Sequence, residues 1–128
     1  MSVRQVDTAT FTNLMARSDH LVVNFFAPWC APCRTMAPHF ERVARANQGV
    51  DFIKVDTDEE QALAALLEIR SLPTVMVFRQ GVLLCTEVGA QPPAALRALV
   101  SKTANVDMAE VHAAVRRERL SASESELA

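Results

Sequence analysis

Cys30 and Cys33 stand two residues apart, directly after the apolar run 21–26 and directly before a segment whose apolar residues recur at helical spacing: Met36, Ala37, Phe40, Val43 and Ala44. No other feature constrains the chain as much. A C-x-x-C pair where a strand hands over to a helix is the arrangement of a dithiol/disulfide redox centre. Its sulfurs can close a small ring, and the unpaired N–H groups of the first helical turn stabilise a thiolate beside them. The remaining residues read as the scaffold of that junction.

The pattern around it is strand, helix, strand, helix, strand, helix. Residues 3–6 alternate as a short edge strand, and Asp7 or Thr8 caps a helix with Phe11, Leu14 and Met15 on one face. Residues 21–27 are β-branched and aromatic almost throughout, as in a central strand covered on both faces, with Asn24 the one polar interruption. A helix opening at Cys33 is expected to run to about residue 47, kinked at Pro38 and stopped by Gln48-Gly49. Residues 50–56 form the next buried strand. Asp58, with Gln61 three residues on, predicts a capping box for a helix that turns Leu63, Leu66 and Leu67 inward.

After Ser71-Leu72-Pro73 come a strand over 74–78, a turn at 79–81 and an antiparallel strand over 82–88. A helix entered through Pro92-Pro93 then carries Leu96, Leu99 and Val100. Asp107, with Glu110 three residues later, predicts a cap for a further helix with Met108, Val111 and Val115 on one face. Arg116, Arg117 and Arg119 fall in its expected last turn. This divides the chain into a domain over 1–104, a helical extension over 105–120 and a disordered tail over 121–128.

Composition excludes some classes of function. With 128 residues the chain can bury a core without a disulfide or metal staple. A formal net charge of −2 gives no reason to expect nucleic acid or an anionic membrane as partner. The N-terminal residues lack the apolar segment of an export signal, and no run approaches the roughly 20 apolar residues of a membrane span. A cytoplasmic location is therefore expected, where C-x-x-C is catalytic or metal-binding rather than a structural bridge. Zinc or an iron–sulfur cluster would need further ligands, and His20, His39 and His112 do not fall at ligand spacing, so no metal and no cofactor is expected. Cys85 reads as a small core or edge residue.

Trp29-Cys30-Ala31-Pro32-Cys33 resembles the Trp-Cys-Gly-Pro-Cys site of thioredoxins. The strand around Asn24, Met36-Ala37-Pro38, Lys54-Val55-Asp56, Leu72-Pro73-Thr74, Arg79-Gln80-Gly81 and Val88-Gly89-Ala90 follow the same family's pattern in order, over residues 3–103. The resemblance implies an α/β thioredoxin fold, with a mixed five-stranded sheet flanked by four helices; the extra C-terminal helix is additional. It implies that Pro73 follows a cis peptide bond. It also implies a protein-disulfide reductase cycling between dithiol and disulfide at Cys30 and Cys33. Cys30, more exposed and nearest the helix N-terminus, would be the nucleophile, and Cys33 the resolving thiol. Ala31 and Pro32 would hold the pair in ring-closing geometry. Trp29, Leu72, Pro73, Thr74, Gly89 and Ala90 would form an apolar lip for substrate. Protein disulfides are the implied substrates and a thioredoxin reductase the implied electron donor, for a monomer with a dimer through the C-terminal helix as the alternative.

Two residues depart from the family. Ala31 replaces a glycine, which stiffens the loop. Asn24 stands where relatives carry a buried aspartate proposed to take the proton of the resolving cysteine, and asparagine cannot accept one. Lys54, the usual neighbour of that aspartate, then lacks its anion. The expected result is a less negative site that favours thiolates, with water or the departing substrate thiolate as base. A rival reading is a thioredoxin-fold binding module or co-chaperone, with a regulatory dithiol and a partner-binding C-terminal helix. An oxidant or isomerase is disfavoured by the lack of an export signal.

Overall fold

A computed structural model describes residues 2–127. The elements run β1 (Val3–Gln5), α1 (Thr8–Arg17), β2 (His20–Phe26), α2 (Ala31–Ala46), β3 (Asp51–Asp56), α3 (Gln61–Leu66), β4 (Thr74–Arg79), β5 (Val82–Val88), α4 (Pro93–Ala104) and α5 (Met108–Leu127). The five strands form one mixed sheet in the order β1-β3-β2-β4-β5. β2 lies at its centre, parallel to β3 and antiparallel to β4.

The alternation of side chains along β2 builds two cores. Val22 joins Phe52, Val75 and Val77 beneath α2 and α4, against Met36, Phe40, Leu96 and Val100. Leu21, Val23 and Phe25 point the other way, to Phe11, Ile53, Leu63 and Phe78. Each large apolar side chain so buried contributes about 1.5–3 kcal/mol relative to exposure. A one-residue slip of β2 would exchange the two faces. The register therefore fixes Asn24 on the α2 side, beside Lys54 of β3 and Val75 of β4.

Several boundaries differ from the sequence expectation. α2 starts at Ala31 rather than Cys33, with Cys30 as its N-cap, because Pro32 in the first turn lacks only an N–H that would have no helical partner there. Its end agrees with the expectation: it runs through Pro38 to Ala46, where Asn47 caps it and donates from its side chain to the Val43 carbonyl at 2.8 Å. Asp58 does not cap α3. Asp56 Oδ1 accepts from the Asp58 and Glu59 N–H groups at 2.8 and 3.4 Å, and α3 begins after Glu60 with no side-chain cap. Leu63 is buried and Leu67, just past the helix, packs half-buried against the same core as expected, whereas Leu66 points to solvent. α5 continues through the expected tail to Leu127, because no Gly or Pro interrupts residues 107–127. Arg116, Arg117 and Arg119 thus lie in mid-helix, and Ala128 lies outside the described residues.

The pole opposite the cysteines is tied by polar contacts. Arg79, the last residue of β4, donates from Nη1 to the carbonyls of Thr103 and Ala104 at 2.8 and 3.2 Å and from Nε to that of Asp19 at 2.9 Å. These contacts satisfy carbonyls at the end of α4. His20 is buried with Nε2 2.8 Å from Thr103 Oγ1. Gln80 donates to Asp19 Oδ1 and contacts His112 Nε2 at 2.9 Å, so the start of α5 is fastened to the β4–β5 turn.

Candidate active site

β2 ends at Phe26, and the chain reaches α2 through Ala27, Pro28 and Trp29. The turn is held by the Cys30 N–H donating to the Ala27 carbonyl at 3.1 Å and by Arg34 Nη1 donating to the Pro28 carbonyl at 2.9 Å. Cys30, extended in its backbone, caps the helix through sulfur: the Cys33 N–H donates to Cys30 Sγ at 3.3 Å. The helix terminus therefore places a backbone donor on the sulfur that would carry negative charge as a thiolate. Cys30 and Cys33 are joined as a disulfide, with Cα atoms 5.3 Å apart.

The expected difference in exposure between the cysteines is small, at 5% for Cys30 and 3% for Cys33. Access distinguishes them instead. A groove of about 410 Å³ opens beside the pair and is lined by Cys30 but not by Cys33. Trp29, Ala31, Pro32 and Leu72 also border it, as the sequence suggests. Pro73 and Thr74 are buried behind it, and Gly89 and Ala90 do not line it. The Leu72–Pro73 bond is cis, and the Pro73 carbonyl accepts from the Gly89 N–H at 2.8 Å, which joins the two loops. Gly89 has φ +96°, a conformation glycine adopts without strain.

Three groove residues escape the sequence reading: Thr57, Ile69 and Arg70. So does the support of Trp29, a residue 68% exposed whose Nε1 donates to Asp58 Oδ2 at 2.9 Å. The spacing of Asp58 and Gln61 imitates a cap, so nothing local signals this contact across the site. Met36 is fully buried in the core, and its sulfur accepts from the Gln91 N–H at 3.4 Å. Cys85 sits half-buried on β5 against the α2-side core, where burial pushes its thiol up from the usual value, with Glu87 adding to the effect.

Asn24 is buried, and its Oδ1 accepts no hydrogen bond among the described residues. Its β3 neighbour Lys54 places Nζ 5.3 Å from the centroid of the Phe26 ring, a cation–π arrangement in the place of an ion pair. Among the described residues no group of three or more His, Cys, Asp or Glu gathers as a metal site. No helix there is long and apolar enough to cross a membrane.

Comparison with known proteins gives a consistent result. The thioredoxin family profile matches residues 2–102. Thioredoxin 1 of Nostoc sp. is 39% identical over 100 residues, covering 77% of this chain and 94% of its own. Thioredoxin of Porphyra purpurea is 36% identical over 104 residues, covering 80% and 97%. Among solved structures, mitochondrial thioredoxin 3 of Saccharomyces cerevisiae in its oxidised form superposes with a TM-score of 0.73 at 33% identity, over 79% of this chain and 95% of that one.

Proposed function

The chain belongs to the thioredoxin family and is a thiol–disulfide oxidoreductase, and from that premise we propose how its own residues divide the reaction. The Cys30 thiolate attacks one sulfur of a substrate disulfide. A Cys30–substrate bond forms, the substrate S–S bond breaks, and one substrate sulfur leaves as a thiolate. Cys33, as thiolate, then attacks Cys30 Sγ; the intramolecular disulfide forms and the second substrate sulfur leaves. Two electrons and two protons pass to the substrate, and a thioredoxin reductase returns two electrons to the pair.

The observation that supports this order is the asymmetry of the site. Cys30 faces the groove and receives the helix N–H, whereas Cys33 does not line the groove. Trp29, Ala31, Pro32 and Leu72 supply the apolar contact, and the main chain beside Pro73, backed by Thr74 and linked to Gly89 and Ala90, is the strand-like surface for substrate backbone. Asn24 leaves the departing Cys33 proton to water or to the outgoing substrate thiolate, and Lys54 adds positive charge without a carboxylate to cancel it. A reducing compartment, the cytoplasm, suits this role, and the protein acts as a monomer.

Turnover of a protein disulfide with reductase and NADPH tests the proposal. Wild type should turn over and Cys30→Ser should be inactive. If wild type binds partners but transfers no electrons, the binding-module reading replaces it; the intact helix-capped cysteine pair favours the enzyme.

A further inference from the structure

The groove beside Cys30 does not end at Leu72. Ile69 and Arg70 line it, and the same two residues also line a second depression of about 280 Å³ on the α3 face of β5, bordered by Met76, Leu83 and Val88. The depression follows from unequal cover. α2 and α4, with 16 and 12 residues, roof the opposite face; on this face α1 packs Phe11 against Phe25 and Phe78, and α3, with six residues and about 9 Å of helix, leaves the edge strand β5 bare. Leu83 and Val88 are 44% and 61% exposed there, against 4% for Met76 at the floor. With Trp29 they make three of the five large exposed apolar residues among the described residues, and all three lie along this one track, as expected of an interaction surface rather than scattered exposure. Arg70 sits where the two grooves meet, exposed and without an ion-pair partner among the described residues.

We propose that this depression is a selectivity subsite for the protein substrate, taking the segment that flanks the target cysteine. That segment carries a carboxylate for Arg70 and an apolar side chain for the surface of Met76, Leu83 and Val88. The inference rests on the reading of the Cys30 groove as the place of attack, with which the depression is continuous. Backbone pairing beside Pro73 reads no side chain, so discrimination between protein disulfides has to come from a neighbouring surface. A guanidinium matches a carboxylate in its fork geometry. Glu68 borders the depression but not the Cys30 groove, so the carboxylate belongs on the side of the cysteine, where Arg70 lines both.

The test uses two disulfide-linked peptides and a small aromatic disulfide that carries no peptide. One peptide has Asp and Leu flanking its cysteine; the other has Lys and Ser. Wild type should favour the acidic–apolar peptide on the order of fivefold in kcat/KM, the scale of an exposed ion pair together with a partly buried side chain. Arg70→Glu should reverse the charge preference, read as the ratio of its own rates with the two peptides; Leu83→Ser should lower only the rate with the apolar flank, and it should reduce the small disulfide as fast as wild type. Equal treatment of both peptides by a wild type that reduces the small disulfide overturns the subsite alone. Failure with the small disulfide overturns the redox reading on which it rests.

Discussion

Asn24 is buried in the central strand with a side-chain oxygen that accepts no hydrogen bond among the described residues, so the effect of placing a charge there can be stated. A carboxylate at this buried position would add negative charge on the side of the sheet that α2 and its cysteine pair cover, and would itself lose hydration. Asn24→Asp should therefore raise the thiol pKa values, which a pH titration of alkylation rate or ultraviolet thiolate absorbance measures. It should also lower stability by about 1–3 kcal/mol at neutral pH, the scale of an imperfectly paired buried polar group, with Lys54 offsetting part of the cost. An unchanged titration would remove Asn24 from the mechanism. Asn24 stands out in the sequence as the lone polar residue of a buried strand, whereas Lys54 is singled out only by the family resemblance. The partner of Trp29 was not legible there, because the Asp58–Trp29 hydrogen bond links residues 29 apart in sequence. Asp58→Ala should free the indole and weaken substrate turnover several-fold through KM more than kcat, as loss of one exposed hydrogen bond implies.

At the scale of elements, the sequence was most informative where periodicity and burial agree and least where an element ends. β2 and α2 read clearly because their apolar residues face a continuous core. α3 read too long and α5 too short, because exposed helix is set by weak propensities: neither the outward Leu66 nor the polar run 121–127 carries a burial signal. The two halves of α5 should behave differently. Met108 is buried at its start, and Met108→Ala should cost about 2–3 kcal/mol in a urea titration. From Arg116 to Ser125 the side chains are exposed, so ending the chain after Arg119 should change stability by no more than about 0.5 kcal/mol. The polar pole is a stronger constraint than the distal helix. Arg79→Met would remove the guanidinium from the Thr103, Ala104 and Asp19 carbonyls, of which Thr103 keeps a backbone donor from Val106, and should cost about 2 kcal/mol.

For the whole molecule, alternating strands and helices account for the parallel pairing of β1, β3 and β2; β4 enters antiparallel to β2 after α3, and the Gln80-Gly81 turn then reverses the chain into β5. The network at the far pole was invisible beforehand, because His20, Arg79 and Thr103 meet only when α4 packs. It gives the fold a pH dependence. Burial and then the charge of Arg79 lower the His20 pKa below the usual value near 6.5, against a smaller opposing effect of Asp19. The unfolded chain thus binds the proton more readily. This contribution to stability is full above about pH 7 and is lost as pH falls through 6.5 towards the lowered folded value. Urea midpoints should decline over that window, and His20→Gln should flatten the decline. The redox account itself rests on one division of labour, attack by Cys30 and release by Cys33. The direct measurement is mass spectrometry of Cys33→Ser incubated with a disulfide-bonded protein substrate. The account predicts a stable mixed disulfide mapped to Cys30. No adduct, or an adduct on Cys85, would contradict it.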